Sequence, residues 1–335
     1  MNDLPRLRIA HLPTPVEDLP RLSSHLGGPR IYIKRDDQTG LAFGGNKTRK
    51  LEYIIAEAQG TGARTLITTG AVQSNHCRQT AAAAARLGFD CILVLTSRGN
   101  QTTTPSVSGN LLLDYLLGAD IVWAPHIWRD QVLADTFEKA LAAGRRPFLI
   151  PYGASSPLGA AAYAFALKEL IDQTQIEGVL SRQPDWIVFA SSSGGTQAGL
   201  VLGARLFGFE GSILGISVDE DAGVLRDRIV TLANAAGELL GENVEIKEDE
   251  VLVNDSYLGE GYGVLGGVEK DAINLFARTE GLLLDPVYTS RAAAGLIDLI
   301  RHGFFSREGV ENVDILFWHT GGTPALLAEK YRDVV

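Results

Sequence analysis

The sequence predicts an α/β protein with two domains, each built on an open, mostly parallel sheet flanked by helices. Short apolar runs of strand length alternate with stretches of helical periodicity. Small polar or glycine-rich segments join them, as at strand-to-helix turns. The 335 residues are more than one ordinary domain requires. In such folds ligands bind beyond the carboxyl ends of the strands, so the small-residue loops are the places to look for a site.

The strands and helices follow one another along the whole chain. Each predicted strand is a short apolar run, and most are followed by a predicted helix. The strands are RTLITTG, DCILVLTS, PFLIPYG, DWIVFA, SILGISV and DILFW, and the helices are AVQSNHCRQTAAAAARLG, ASSPLGAAAYAFALKEL, QAGLVLGARLF and the end of HTGGTPALLAEKY. No linker rich in Pro, Gly or Ser separates two halves of the chain, which indicates that one domain is inserted within the other.

Composition excludes several classes of partner. The formal net charge is −10, whereas nucleic acids and anionic membranes require a basic surface. Two cysteines are too few for a disulfide framework and are typical of a reducing cytosol. The first residues lack the apolar core of a signal peptide, and no uncharged apolar run is long enough to span a bilayer. We therefore expect a cytoplasmic protein with a small-molecule ligand, and we predict no metal site.

The segment AFGGNKTRKLE superficially resembles a phosphate-binding P-loop. Gly40 and Gly45 have the P-loop separation, but Asn46 stands between Gly45 and Lys47. The preceding segment is charged, whereas a P-loop follows a buried strand. The P-loop interpretation therefore fails.

Lys47 has features of a reactive amine rather than of a solvated surface lysine. An apolar face predicts a helix that begins here, with Asn46 as its N-cap and Lys47 in its first turn; that face comprises Leu51, Ile54, Ile55 and Ala58. A cation is unfavourable at a helix N-terminus because the helix dipole is positive there. The pKa of Lys47 should therefore be lowered, as nucleophilic lysines require.

A second glycine loop, SSSGGTQAG at Ser191–Gly199, follows a predicted strand and opens a predicted helix. Backbone N–H groups and the hydroxyls of Ser193 and Thr196 could form a phosphate cradle there, although an ordinary turn between a strand and a helix is equally compatible. The loop lacks Gly-Lys-[Ser/Thr], so a nucleoside triphosphate is not the natural ligand. A reactive lysine together with a separate phosphate cradle is what pyridoxal 5′-phosphate (PLP) requires.

Four segments, in this order, resemble the family of 1-aminocyclopropane-1-carboxylate (ACC) deaminases and D-cysteine desulfhydrases. They are KRDDQTGLAFGGNKTRKLE, GAVQSNHCRQTAAAA, LLLDPVYTSRAAAGL and LFWHTGGTPAL. The resemblance runs from about residue 5 to the C-terminus. It implies a PLP-dependent enzyme of fold type II, the tryptophan-synthase β-like fold. It also implies a homodimer, with a small domain at 49–159 inserted into a large PLP-binding domain formed by 1–48 and 160–335.

The resemblance also implies roles for individual residues. Lys47 matches the catalytic lysine that binds PLP covalently, and Asn75 matches the asparagine beside the ring hydroxyl. The phosphate cradle corresponds to Ser193, Gly194, Gly195 and Thr196. Gln73 and Ser74 match residues that hold the substrate carboxylate, and Asn75 and Thr320 are also expected to contact substrate. Tyr262 and Tyr288 match active-site tyrosines. The resemblance thus implies that these two tyrosines and Ser74 are catalytic together with Lys47, and that Thr289 and Thr320 contact the cofactor.

Simpler structural roles are open for some of these residues. Ser74 could be a plain N-cap, Asn75 a turn residue and Tyr288 a core tyrosine whose hydroxyl has a partner. We interpret His76 and His319 as packing residues and leave both out of the predicted site.

Two threonines favour one side of the family. ACC deaminases typically have a glutamate and a leucine where this chain has Thr289 and Thr320. In the family, threonine at these two positions is typical of the D-cysteine desulfhydrases. A carboxylate at the pyridine nitrogen of PLP keeps that nitrogen protonated and strengthens the electron sink of the cofactor. Opening the cyclopropane ring of ACC needs this strong sink, whereas β-elimination of a good leaving group proceeds with a weaker one. The expected reaction converts D-cysteine to pyruvate, sulfide and ammonia, with Lys47 as the general base.

Three alternatives remain open at the level of sequence. The first is sulfite elimination from L-cysteate, which an arginine such as Arg78 or Arg98 in the pocket would favour. The second is ACC deamination, which the two threonines disfavour. The third is a PLP-binding regulator without catalytic activity, since a fold does not guarantee a function.

Overall fold

The computed structural model describes residues 1–97, 105–175, 180–305 and 313–334. Its strands form two separate sheets, and each sheet is flanked by helices. The predicted α/β class with mostly parallel sheets is confirmed. No helix in the described ranges combines the length and the apolar character that crossing a bilayer would need.

The larger sheet has six strands in the order β1-β2-β10-β7-β8-β9. Only β1 and β2 pair antiparallel, and all other neighbours are parallel. The strands are β1 Val16–Asp18, β2 Arg30–Lys34, β7 Trp186–Ser191, β8 Ser212–Ser217, β9 Leu252–Asn254 and β10 Asp314–Trp318. Strands β7 and β10 lie at the centre and are nearly fully buried because helices cover both faces of the sheet.

The smaller sheet has four parallel strands in the order β5-β4-β3-β6. They are β3 Thr65–Ala71, β4 Asp90–Ser97, β5 Asp120–Pro125 and β6 Pro147–Leu149. This sheet therefore uses a continuous central part of the chain, and the larger sheet uses the segments on either side. The arrangement agrees with one domain inserted into another.

Ten α-helices occur in the described part of the chain. They are α1 Pro20–Leu26, α2 Asn46–Gly60, α3 Asn75–Leu87, α4 Asn110–Leu116, α5 Arg129–Ala142, α6 Pro157–Thr174, α7 Gly195–Phe207, α8 Ala222–Leu239, α9 Gly267–Glu280 and α10 Thr289–Arg301. Helices α2 and α6 pack against each other and cross the predicted domain boundaries at 48/49 and 159/160. Those two boundaries stay a prediction.

The chain end differs from the prediction. The segment after the last glycine loop forms two 3₁₀-helices, Thr323–Leu327 and Glu329–Val334, instead of one α-helix. Pro324 is confined to the first turn because it has no N–H, and Ala328 is extended with ψ 140°. The prediction of a closing α-helix was therefore wrong.

A buried ion network fixes helix α2 against β2 and α6. The guanidinium of Arg49 contacts Asp36 at 2.8 Å and Glu169 at 2.9 Å, and the amine of Lys34 contacts Glu169 at 2.7 Å. Tyr163 on α6 donates a hydrogen bond of 2.6 Å to Asp36. Because Lys47 lies on the same helix as Arg49, this network also sets the position of Lys47.

Candidate active site

A cavity lies beyond the carboxyl ends of the strands, between the loops of the two sheets. Loops from both halves of the chain line it, so neither sheet forms it alone. The lining residues are Asn46, Lys47, Ser74, Asn75, His76, Tyr152, Gly153, Ala190, Ser191, Ser192, Ser193, Gly194, Thr196, Tyr288, Thr320 and Gly321. The position agrees with the ligand-site rule for parallel sheets.

Lys47 lies in the first turn of α2, as predicted, and the predicted apolar face of this helix is buried. Asn46 is not the N-cap, however: the helix begins at Asn46, and Gly45 precedes it with φ 126°. The Asn46 side chain is used elsewhere, donating to Thr196 Oγ1 at 3.1 Å and accepting from Lys47 Nζ at 3.1 Å. Burial lowers the pKa of Lys47 to about 8, against the opposing attraction of Asp285.

The loop before Lys47 has an unusual backbone. Residues 42–45 all have positive φ, including the non-glycine residues Ala42 at 43° and Phe43 at 67°. Arg78 of α3 donates hydrogen bonds to the carbonyls of Ala42 at 2.7 Å and Gly44 at 3.0 Å. These bonds hold the strained loop and with it the start of α2.

Ser74 and Asn75 form the start of α3 after strand β3. Ser74 is the N-cap, and its Oγ accepts from the N–H of Cys77 at 3.2 Å. Asn75 is the first helical residue, and its Oδ1 accepts from Asn110 Nδ2 at 2.8 Å. The N-cap role of Ser74 is thus present together with its place in the cavity lining.

The loop at Ser193–Thr196 opens α7, which begins at Gly195. A second wall stands against it: the Ser155 hydroxyl donates to Ser193 Oγ at 2.7 Å and accepts from the N–H of Gly195 at 3.2 Å. Gly153 comes so close that a Cβ on it would lie 2.4 Å from Ser193 Oγ. The predicted cradle is therefore built from loops of both sheets.

Three tyrosines lie close together at the cavity, and two of them, Tyr152 and Tyr288, line it. The hydroxyls of Tyr262 and Tyr288 are hydrogen bonded to each other, and their rings meet edge to face. The hydroxyl of Tyr152 is hydrogen bonded to Tyr262. The guanidinium of Arg129 lies 5.4 Å from the centre of the Tyr152 ring. Burial raises the pKa of all three phenols, that of Tyr152 to about 12, so they are neutral hydroxyls near pH 7.

The two threonines that distinguish the family members differ in position. Thr320 lines the cavity, and its carbonyl accepts from the N–H of Asn46 at 2.9 Å. Thr289 is fully buried behind Tyr288 and outside the lining, with its hydroxyl donating to Asp285 Oδ1 at 2.9 Å. Asp285 also accepts from the backbone N–H groups of Val287, Tyr288 and Thr289.

Eight of the predicted site residues meet in this one cavity: Lys47, Ser74, Asn75, Ser193, Gly194, Thr196, Tyr288 and Thr320. Gly195 and Thr289 lie next to the lining. Gln73 and Tyr262 line a neighbouring cavity of about 630 Å³, and Tyr152 belongs to both cavities. In addition, Gln73 binds the start of α4 through Ser108 O and the Asn110 N–H.

Several lining residues escaped the sequence analysis. Tyr152 and Gly153 lie in a short 3₁₀-helix, Tyr152–Ala154, in a segment that carries no motif. His76, interpreted as a packing residue, lines the cavity and is hydrogen bonded through Nε2 to Thr68 Oγ1 at 2.8 Å. Its pKa is far below the usual range because of burial and the nearby lysines, so it is neutral.

Of the two arginines that could favour sulfonate binding, only Arg78 lies within the described residues. Arg78 is buried, binds backbone carbonyls and is not among the cavity-lining residues. Arg98 lies outside the described residues, as does most of the loop 96–106. Geometry at Arg78 therefore gives sulfonate binding no support.

The chain belongs to the family of pyridoxal-phosphate dependent enzymes, whose model matches residues 7–321. It is 41% identical over 331 residues to the D-cysteine desulfhydrases of Salmonella choleraesuis (strain SC-B67) and Salmonella typhi, covering 98% of this chain and 97% of each relative. A solved ACC deaminase homologue superimposes with a TM-score of 0.84 at 37% identity, covering 97% of this chain and 94% of that one. The predicted family, fold type and cofactor are confirmed.

A more distant structure shows the fold alone. A hydrogen sulfide-producing enzyme from Fusobacterium nucleatum superimposes with a TM-score of 0.63 at 13% identity, covering 96% of this chain and 97% of that one.

The residues present fit PLP. Lys50 is fully buried on α2, and among the described residues its amine has no hydrogen-bond partner. Burial and the neighbouring Lys47 lower its pKa far below the usual range. A buried amine without a hydrogen-bond partner, three residues after Lys47 on the same helix, suits an anion such as a phosphate. Lys47, which lines the cavity, would provide the amine for the aldehyde of the cofactor.

Proposed function

We propose that this chain catalyses β-elimination from D-cysteine, yielding pyruvate, sulfide and ammonia with consumption of one water. One observation carries the proposal: an amine with lowered pKa, Lys47, lies in one cavity with a glycine loop and with Ser74 and Asn75. The full-length similarity to D-cysteine desulfhydrases supports the choice of substrate. The comparable similarity to an ACC deaminase homologue makes a direct comparison of substrates necessary.

PLP would be held at three points. Lys47 would bind its aldehyde, the loop Ser193–Thr196 with Lys50 would bind its phosphate, and Asn75 would contact its ring hydroxyl. When bound, PLP supplies an electron sink for the pair left at the substrate Cα. Because burial lowers the pKa of Lys47 to about 8, about a tenth of the free amine is neutral at pH 7 and about half at pH 8.

The chain's own groups account for the remaining steps. The substrate carboxylate would bind the N–H groups at the start of α3 and the hydroxyl of Ser74, since a helix N-terminus favours an anion. Lys47 would remove the proton from Cα, acting as the general base. The hydroxyls of Tyr288 and Tyr262 are neutral and can donate a hydrogen bond, so they would bind the sulfur-bearing end of the substrate.

The test is a comparison of substrates with the purified PLP-loaded protein. Pyruvate release is measured for D-cysteine, L-cysteine and L-cysteate, and 2-oxobutyrate release is measured for ACC. We expect D-cysteine to give the highest kcat/KM, with sulfide and pyruvate in equal amounts. Sulfite from L-cysteate in excess of sulfide from D-cysteine, or efficient ACC cleavage, would assign the site to another reaction. PLP binding without turnover of any of these amino acids would favour a regulator.

We also propose a homodimer in the cytoplasm. The expectation follows from the family resemblance and from the two buried, unpaired cysteines, Cys77 and Cys91.

A further inference from the structure

Asp114 is a buried carboxyl group that the proposed mechanism does not use. It lies on α4 with no exposed surface, and within the described ranges neither of its oxygens has a hydrogen-bond partner. An ionised carboxylate is very costly in such a place. The titratable groups that face it are Cys77 and Arg78 from α3 and Cys91 from β4.

None of these three groups forms an ion pair or a hydrogen bond with Asp114 in the described part of the chain. Burial raises the pKa of both thiols, so Cys77 and Cys91 are neutral. Arg78 uses two of its nitrogens on the carbonyls of Ala42 and Gly44, and no ion pair joins it to Asp114 in the described part of the chain. Burial raises the pKa of Asp114 to about 8 even with the opposing attraction of Arg78.

Asn110 lies one helical turn before Asp114, and its side-chain oxygen receives no hydrogen bond from the described residues. This oxygen, Oδ1, is buried. Its Nδ2 donates to Gln73 O at 2.9 Å and to Asn75 Oδ1 at 2.8 Å, and its backbone N–H donates to Gln73 Oε1 at 2.8 Å. Residues four apart on a helix are neighbours on one face, so the oxygens of Asn110 and Asp114 share a face of α4.

We propose that Asp114 is a positioning residue of the active site: it is protonated at neutral pH and donates its proton in a hydrogen bond to Asn110 Oδ1. This bond fixes the amide of Asn110, which in turn orients Asn75 with Oδ1 toward α4 and Nδ2 toward the cavity. A protonated acid and the orphan acceptor satisfy each other, which explains two unpartnered buried groups at once. The link to the cofactor rests on the function proposed for Asn75.

The protonation state is tested by urea unfolding of the PLP-loaded protein at pH 5 to 9. The unfolded chain releases the Asp114 proton near pH 4, whereas the folded chain keeps it to about pH 8. Asp114→Asn retains a donor and has no proton to release. We expect the folding constant of this variant, divided by that of the wild type, to rise about tenfold per pH unit between about pH 5 and 7.5 and to level off above 8.

Asp120→Asn, an exposed carboxylate on β5, is the control and should give a ratio that is flat in pH. A flat ratio for Asp114→Asn as well would mean that Asp114 is ionised in the folded protein, and this would overturn the proposal.

The positioning role is tested by the rate of PLP release, which needs no turnover. Asp114→Leu keeps the branched shape and the number of heavy atoms but has no donor, and we expect it to release PLP about tenfold faster than Asp114→Asn. In an Asn75→Ala background this difference should vanish, because the two residues act through one chain of contacts. Equal release rates for the two variants, or a tenfold difference that persists without Asn75, would refute the role. Neither measurement depends on whether D-cysteine is the substrate.

Discussion

The amine of Lys47 owes its reactivity to its surroundings. The helix dipole predicts a lowered pKa for Lys47, and in the structure burial in the cavity is the main cause of the lowering. Only the neutral amine can attack the aldehyde of PLP. The rate at which apoprotein binds PLP should therefore rise about tenfold per pH unit up to about pH 8 and then level off, as followed by absorbance. A rise that continues to pH 10 would contradict the lowered pKa.

Borohydride reduction identifies the lysine directly. We expect the pyridoxyl group on Lys47, located by mass spectrometry, and its loss in Lys47→Ala together with nearly all turnover. Lys168, which is exposed on α6, provides the control, and its substitution by Ala should leave label and activity unchanged. Label on Lys34 or Lys50 would show that the assignment of the catalytic lysine is wrong.

Thr289 and Thr320 are not equivalent positions for substitution. Thr289→Glu would bury a second carboxylate beside Asp285, and we expect the free energy of unfolding to fall by about 3 kcal/mol. Thr320→Leu changes the cavity lining and should lower D-cysteine turnover with a smaller effect on stability. The double variant should gain little ACC cleavage, since catalytic residues act as a unit. Urea unfolding and 2-oxobutyrate release measure the two effects, and strong ACC cleavage by the double variant would contradict this view.

At the scale of single elements, two glycines of the glycine loop, Gly194 and Gly195, are required for different reasons. A Cβ on Gly195 would lie 2.7 Å from Ser155 Oγ and would push the second wall away from the cradle. Gly195→Ala should therefore weaken PLP binding about tenfold, measured by titration. Gly194 has φ 84°, and a Cβ there points toward Ile229 and Arg228 instead of into the cradle. Gly194→Ala should mainly cost about 1 kcal/mol of stability, and equal PLP affinities for the two variants would contradict this distinction.

The contact between α2 and α6 depends on Glu169, which accepts hydrogen bonds from Lys34 and Arg49. Glu169→Gln leaves two buried cations with too little negative charge, and we expect the free energy of unfolding to fall by about 3 kcal/mol. Asp172→Asn, which breaks an exposed pair with Lys168, should change it by less than about 1 kcal/mol. The pKa of Glu169 is lowered by Arg49 and Lys34 despite burial, so its contribution should persist at neutral pH and disappear as pH falls below about 4. Equal effects of the two substitutions in urea unfolding would refute this account.

At the scale of the whole molecule, the cofactor site joins the loops of both sheets. Ligand binding to the folded state alone stabilises it, by about 2.7 kcal/mol when free PLP is 100 times Kd. Removal of PLP should therefore lower the free energy of unfolding by about this amount, and Lys47→Ala should abolish most of the difference. Unfolding that does not depend on PLP concentration would contradict a site shared by the two halves.

The molar mass in solution tests the proposed homodimer. The chain has a mass of 36.0 kDa, so sedimentation equilibrium should give twice this value at micromolar concentration. A single-chain mass at all concentrations would refute it.

The amino-acid sequence by itself determined the alternation of strands and helices, the glycine loop, and the lysine at the start of a helix. These features depend on neighbouring residues: apolar runs of strand length and glycines before a helix are local patterns. For the same reason the four family segments could be recognised, and Lys47, Ser74, Asn75 and Tyr288 could be named before any coordinates. Strands β1, β2, β5 and β9 are not among the strands predicted from the sequence; β1 and β9 have only three residues each, and β2 begins and ends with a basic residue.

Only the tertiary structure decided which residues from distant parts of the sequence contact each of these residues. Ser155 forms a second wall for the glycine loop 38 residues further on, and Arg78 holds a loop that is 34 to 36 residues away. Thr289 is predicted to contact the cofactor, whereas in the structure its hydroxyl donates to Asp285. The charge state of Asp114 depends on a burial that no local pattern shows. Long-range contacts of this kind arise from packing of distant segments, and packing sets which groups lose water, and thereby their pKa values and partners.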